Sequence, residues 1–250
     1  MVAAFDIGNS NIHLGLYRKK RLIKWSVCPV HNHRIESTLS KMLVGKSITG
    51  AAIASVVPKV TAKAVRFLKR QYKVVPIIIS AKLNCHLKFA YRRPTTLGAD
   101  RIANAVGGLT RYKKNVIIIS FGTATTIDVV LKDGHHIGGL ITPGMDMLLD
   151  GLAEQTALLK RVILHRPHKY IGKSTEECIQ SGVVNGSIVM IQGLIKAIRH
   201  EVRRRLLCVA TGGWGQQMTK YIEEVDCFDQ DLSTFGVLRI FEDNAQNKRY

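Results

Sequence analysis

Paired cysteines, aromatic clusters, long apolar runs and acidic side chains are all scarce in this sequence, and each scarcity removes a class of protein. The five cysteines, at 28, 85, 178, 208 and 227, are odd in number, scattered and without a C-x-x-C pair. A disulfide framework and a zinc site are therefore not expected, and buried reduced thiols are. The nine histidines form no H-x-x-x-H motif. His135-His136 beside a turn, and His31 with His33 in a loop, read as surface residues rather than ligands, so no transition-metal site is expected. No apolar run approaches the roughly 20 residues that cross a bilayer. The N-terminus enters a core strand at once, which leaves no room for a signal peptide. A soluble cytoplasmic protein that does not meet the membrane is expected.

Acidic residues number 18 against 37 lysines and arginines, a net charge of +19. Such a charge attracts polyanions in general. The basic clusters at 18–21, 69–70, 111–114, 203–205 and 248–249 are spread along the whole chain. They lack interleaved aromatics, since Phe, Trp and Tyr make up only 6% of it. That pattern favours a solvated basic surface, with no nucleic-acid partner.

What the sequence does have is a pattern met twice. Apolar residues 2–5 read as a buried strand that ends in Asp6-Ile7-Gly8-Asn9-Ser10-Asn11, and Ile12-His13-Leu14-Gly15-Leu16-Tyr17 alternates as a second strand. Gly8 lets the chain approach a ligand closely and take angles other residues cannot. The amides and hydroxyl after it can donate to anionic oxygens, while Asp6 could hold a divalent cation directly or through water. The alternative is an ordinary Asx turn closing a hairpin. In the second half, apolar residues 115–119 run into Ser120-Phe121-Gly122-Thr123-Ala124-Thr125-Thr126 and then a strand over 127–131. Two such hairpins facing each other could hold a polyphosphate.

Further strands are predicted over 21–27, 51–57, 74–79, 137–141 and 207–210, and helices over 31–42, 60–71 and 183–206. Three antiparallel strands followed by alternating helix and strand suggest a ribonuclease-H-like lobe, begun again at Asn115. The expected division is therefore a lobe over 1–114 and a second over 115–250. Gly45-Lys46-Ser47 and Gly172-Lys173-Ser174 imitate the end of a P-loop but lack its earlier glycine. Tyr91-Arg92-Arg93-Pro94-Thr95-Thr96-Leu97-Gly98-Ala99-Asp100-Arg101 leads into helical spacing, which puts Asp100 and Arg101 in or near a first turn. Asp100 there could merely complement the helix dipole. It could instead orient a hydroxyl for attack while Arg101 holds the substrate's own anion.

Taken together, Asp6-Ile7-Gly8-Asn9-Ser10-Asn11, Ser55-Val56-Val57-Pro58, Tyr91 with Pro94, Leu97-Gly98-Ala99-Asp100-Arg101, Phe121-Gly122-Thr123-Ala124-Thr125-Thr126, Gly138-Gly139, Pro143-Gly144, Ser174-Thr175, Ser181-Gly182 and Thr211-Gly212-Gly213 resemble the type III pantothenate kinases. These belong to the acetate-and-sugar-kinase/Hsp70/actin superfamily. The resemblance implies an α/β fold of two ribonuclease-H-like lobes with an active cleft between them. It also implies ATP-dependent phosphorylation of pantothenate to 4'-phosphopantothenate, the first step toward coenzyme A. By that resemblance Asp100 is the base. Asp6, Ile7, Gly8, Asn9, Ser10, Asn11, Ile12, His13, Gly122 and Thr123 hold ATP, with Asp6 acting on magnesium. Tyr91, Gly98, Ala99, Asp100, Arg101 and Thr175 line the pantothenate pocket. The relatives are homodimers and need potassium or ammonium. One departure stands out: Ser120 occupies the position where the family has a cation-binding aspartate. Ser120 and the +19 charge motivate the competing reading, a weakened or non-catalytic homologue with a regulatory or nucleic-acid-linked role. Retention of Asp6, Asp100, Arg101 and Thr123 favours the enzyme.

Overall fold

In the computed structural model, residues 1–30 and 34–245 are described; His31, His33, the start of the predicted 31–42 helix and the basic pair Lys248-Arg249 lie outside them. The chain begins with strands β1 (Val2–Ile7), β2 (Asn11–Arg18) and β3 (Arg21–Pro29), then helix α1 (Ile35–Leu43), β4 (Gly50–Ser55), α2 (Pro58–Tyr72) and the short β5 (Ile77–Ile78). These five strands form one sheet in the order β3-β2-β1-β4-β5. The first three are antiparallel, and β4 and β5 join parallel to β1.

Period-2 alternation decides what each face of this sheet carries. Ala3, Phe5, Ile7, Ile12, Leu14 and Leu16 point to one side, where they pack with Leu39 and Leu43 of α1 and Val60, Phe67 and Leu68 of α2. Ala4, Tyr17, Ala52 and Ala54 point to the other, against Ile102, Ala103 and Val106 of α3 (Ala99–Tyr112) and Val237, Leu238 and Ile240 of a C-terminal helix. Asp6 falls on this second face, one alternation beyond Ala4, and that placement brings it to the start of α3.

Next come β6 (Lys88–Phe89), before α3, then β7 (Val116–Phe121), β8 (Ala124–Val130) and β9 (His135–Pro143). Helices α4 (Met145–Gln155), α5 (Thr175–Gln180) and α6 (Gly186–Val202) follow, then β10 (Leu207–Thr211), α7 (Gly215–Thr219), β11 (Cys227–Phe228) and α8 (Leu232–Ala245). The second sheet runs β11-β10-β7-β8-β9-β6. Its first five members repeat the order of the first sheet, so the weak internal repeat in the sequence is a repeat of architecture. This is the mixed, two-sheet ribonuclease-H-like plan expected.

The chain divides into two compact units, one of Met1–Lys114, Asp128–Gly138 and the segment from Asp231, the other of Asn115–Ile127 and Gly139–Gln230. The expected division at 114/115 gave 128–138 and the C-terminal helix to the second half. Helix α8 joins the first unit because glycines let it lie on α3. A Cβ on Gly236 would fall into the Ala103 carbonyl, and one on Gly107 would come 2.5 Å from the Leu232 carbonyl. Arg111 clamps the start of α8, with Nη1 and Nη2 donating to the two Asp231 oxygens at 2.9 and 3.2 Å. That arginine belonged to an expected surface cluster and is instead structural.

Three other readings need correction. Of the predicted strand over 74–79 only Ile77–Ile78 is paired. Cys85 and Cys208 are buried, but Cys178 is exposed and Cys28 and Cys227 are only partly covered. Among the described residues one helix, Thr175–Val202, is long and apolar enough to cross a membrane by length and composition, and in it α5 and α6 join through a π-helical turn at Ser181–Asn185. Its most apolar stretch is 56% buried within the protein, as a core helix would be.

Candidate functional site

The β1–β2 connection is tied down at three points. Gly8 N–H donates to the Asn11 carbonyl at 2.9 Å, Val30 N–H to Ser10 at 2.8 Å, and Val56 N–H to Ile7 at 3.2 Å. Asn9 and Ser10 stand exposed at the tip, with Gly8 and Asn11 half-covered beside them. Gly8 does not use a left-handed conformation, and an added Cβ would meet only the Asn11 oxygen at an ordinary 3.5 Å. The reason expected for this glycine, unusual backbone angles, therefore does not hold; it leaves the tip bare. Ile7 and Ile12 are core residues, so of the expected nucleotide loop these two hold the hairpin in place from below. His13 sits directly across the ladder from Asp6. Its ring lies 5.7 Å from that of Trp25, tilted by 51°, and burial lowers its pKa, so it faces Asp6 as a neutral ring.

Helix α3 starts after a 3-10 turn at Pro94–Thr96, with Gly98 as N-cap and Asp100 and Arg101 in the first turn. A side chain on Gly98 would run into the Asp100 carboxylate. Burial pushes the Asp6 carboxyl up to about 7, with the negative charge of Asp100 adding to it and a hydrogen bond from Ser233 of α8 opposing it. Asp100 is itself raised, first by burial; the amides of Arg101 and Asp100 at the helix start oppose that, and the charge of Asp128 adds to it. Two carboxylates thus face each other in one unit, with the charge of Arg101 offsetting part of the rise at Asp100.

Arg101 is only 4% exposed, and its guanidinium is held by a residue from β8. Nε reaches Asp128 Oδ2 at 3.0 Å and Oδ1 at 3.2 Å, while Nη2 reaches Oδ1 at 2.8 Å. His136 of β9 closes the group, with Nε2 2.7 Å from the same Oδ1. Asp128 and His136 are completely buried. This overturns the surface reading of His136, although His135 does lie outside, paired with Asp133 at 3.0 Å. On the other edge, Arg101 Nη1 is turned to the Tyr91 hydroxyl at 3.5 Å. Tyr91 also lines a recess of about 590 Å³ with Ala90, Arg92, Arg93 and Thr96. Arg101 therefore spends one edge on Asp128 and presents only the other toward Tyr91.

The remaining expected residues belong to the second unit, which is described by itself. Ser120 ends the buried run of β7, next to Thr211 in the ladder. The loop behind it is set between two glycines. Gly212, at φ +89°, lies so close that a Cβ would come 2.6 Å from the Phe121 carbonyl, and a Cβ on Gly144 would clash with the carbonyls of Gly122 and Thr123. Gly144 N–H donates to Thr123 at 3.1 Å and Trp214 N–H to Phe121 at 3.3 Å. Thr175 opens α5 on the surface, behind the N-cap Ser174, whose hydroxyl accepts from Glu177 N–H at 3.2 Å. Asp6, His13, Tyr91, Gly98, Ala99, Asp100 and Arg101 thus share one unit; Ser120, Gly122, Thr123 and Thr175 share the other.

Comparison with known proteins places this arrangement in a family. The sequence model for type III pantothenate kinase matches residues 3–197. A type III pantothenate kinase of Thermomicrobium roseum is 33% identical over 97% of this chain and 97% of its own. One from a Roseiflexus species is 34% identical over 98% and 99%. Among solved structures, a Baf family protein of Campylobacter jejuni, named as a proposed transcriptional activator, shares the fold with a TM-score of 0.63 and 20% identity, over 98% and 99% of the two chains. On the strength of the family model and the two full-length relatives, the chain belongs to the type III pantothenate kinases.

Proposed function

We propose that this protein transfers the γ-phosphoryl group of ATP to the primary hydroxyl of pantothenate, with Asp100 receiving the hydroxyl proton. The observation that carries the reading is Asp100 itself, raised in pKa by burial at the open start of α3 beside Asp6. A base works best when its pKa is drawn toward the working pH, and phosphoryl transfer otherwise depends on positioning and charge stabilisation. The bare β1–β2 tip, from Asp6 to His13, supplies amides for the ATP phosphates, and Gly122 and Thr123 serve the nucleotide from the second unit. Tyr91, Gly98, Ala99 and Arg101 take pantothenate, Arg101 with the edge that Asp128 leaves over, and Thr175 completes that pocket. The two ribonuclease-H-like lobes, broadly 1–114 and 115–250, divide the binding work in this way. Incubating the protein with ATP, magnesium and pantothenate and measuring phosphopantothenate tests it; absence of product under any cation condition overturns it.

Magnesium fits the donor set. Among the described residues no three His, Cys, Asp or Glu side chains gather as a metal cage, and magnesium typically takes one or two carboxylates beside phosphate and water. Asp6 would hold it, and the ion supplies charge neutralisation for the phosphates. The sign of the pH effect follows from Asp6. The folded protein keeps its proton up to about pH 7, the unfolded chain only to about 3.9. Stability from this group is therefore present at low pH and lost as pH rises toward 7. Magnesium binding has the opposite sign, because it needs the carboxylate. Mg-ATP affinity is expected to fall by up to about tenfold per pH unit below 7. Asp6→Asn should weaken Mg-ATP binding and flatten this profile, with pantothenate binding little changed. Calorimetry at several pH values checks this; collapse of pantothenate affinity with Mg-ATP unaffected would reverse the two sites.

Ser120 bears on the monovalent cation. Ser120 brings a hydroxyl and no charge, and the loop after it offers carbonyls that already accept from Gly144 and Trp214. A hard cation is held by oxygen charge and count, so potassium or ammonium binds weakly here. Ser120→Asp is expected to lower the half-saturating potassium concentration in a sodium-free assay. Saturation of the unaltered protein at low potassium, with no tightening in the variant, would point to another charge.

The working form proposed is a cytoplasmic homodimer. Supporting it, the segment between α4 and α5 exposes Leu158, Ile163 and Ile171 by 87, 82 and 83%, apolar surface that a second copy could cover.

A further inference from the structure

We infer that His136 is a positioning residue of this reaction: acting through Asp128, it fixes the Arg101 edge that faces Tyr91. The inference rests on Arg101 as a holder of pantothenate. Three elements meet here, α3, β8 and β9, and each gives one side chain to a group shut away from water. A carboxylate facing an arginine accepts only, so His136 must donate from Nε2 to Asp128 Oδ1 at 2.7 Å. Its other nitrogen, Nδ1, is buried without a hydrogen-bond partner.

A buried polar atom left without a partner is destabilising. The ring lies among Phe89 at 5.9 Å and Tyr91 at 6.3 Å, where an apolar ring would pack without that penalty. What only histidine or an amide adds is the donor to Oδ1. The terminal torsion of an aspartate is broad and soft. Arg101 alone, bound through Nε and Nη2, leaves the carboxylate free to swing with the guanidinium. The second donor, from a different strand, stops that swing. Nη1 then stays aimed at the hydroxyl of Tyr91, a residue that lines the recess, and less side-chain entropy remains to be lost when an anion binds.

The test uses the full chain and three replacements at one position. His136→Phe and His136→Leu remove the donor with different volumes, and His136→Gln keeps an N–H near the place of Nε2. Losing a charge-assisted hydrogen bond in the network is expected to raise the KM for pantothenate about tenfold in the Phe and Leu variants. KM for ATP and kcat should stay within about twofold, and the Gln variant should recover most of the loss. Melting temperature should hold or rise in His136→Phe, because the orphaned nitrogen is gone. An unchanged pantothenate KM, an equal rise for both substrates, or failure of both apolar variants to fold while Gln folds would each overturn the inference. Arg101→Leu separates this from the underlying reading. If it leaves pantothenate KM untouched, Arg101 does not hold the substrate; if it raises KM and His136→Phe does not, only the positioning role fails.

Discussion

Asp100→Asn is expected to lower kcat by about 10²–10⁴-fold, the usual worth of a general base, while the protein stays folded. The variant keeps the size and shape of the side chain at the start of α3, where a Cβ on the neighbouring Gly98 would already collide with it. It removes the charge that adds to the raised pKa of Asp6. At neutral pH the variant should therefore be at least as stable as the unaltered protein, since one of two crowded carboxylates is gone. The pH profile separates a base from a bystander. Asp100 is raised by burial and by the charge of Asp128, so its protonated form persists to higher pH than in an ordinary aspartate. At saturating Mg-ATP, where the Asp6 limb is suppressed, kcat/KM for pantothenate should rise with pH until Asp100 is ionised, and that limb should vanish in the variant. Near-normal turnover in Asp100→Asn removes it from the role.

Gly236→Ala is expected to be the most damaging single methyl group in the molecule. Its Cβ would sit inside van der Waals contact of the Ala103 carbonyl and 3.0 Å from Gly107 N. Both are backbone atoms of α3, so no side chain can move aside. Overpacking in a well-ordered core is destabilising by about 1–3 kcal/mol, and here at least about 3 because backbone must shift. For a chain of this size that corresponds to a melting-temperature loss of about 6–12 °C. Gly151→Ala, on α4 with open space around its Cβ, serves as the control and should change little. Thermal unfolding of both variants decides it, and a Gly236→Ala melting curve that overlays the parent would show that α3 and α8 separate freely.

The first hairpin was legible because apolar alternation and a small polar tip coincide within Val2–Arg18, and the same rule found β7 and β8. The start of α3 was legible to within a few residues from Pro94, Thr95 or Thr96 and the helical spacing after them, although the cap is Gly98 and those three residues form a separate 3-10 turn. Asp128 and His136 were not, yet a signal existed. Asp128 is a lone carboxylate inside the apolar run Ile127-Asp128-Val129-Val130, and a charge in a buried strand requires a partner. His136 alternates with His135 along β9, so one of the two had to face inward. The two-residue strands β5, β6 and β11 are fixed by their neighbours in the ladders, not by their own residues. The return of α8 to the first unit depends on two glycines meeting 129 residues apart, at 107 and 236, and no local pattern reports such a meeting.

That return has a consequence for the order in which the molecule is made. Ala4, Ala52 and Ala54 of the first sheet are covered partly by Val237, Leu238 and Ile240. When a ribosome has released the first 114 residues, the helix that shields this face has not yet been synthesised. Domains usually fold as they emerge, the N-terminal one first. Here the earlier unit waits for the later one, with an apolar sheet face open during that interval and the final helix acting as the closing step.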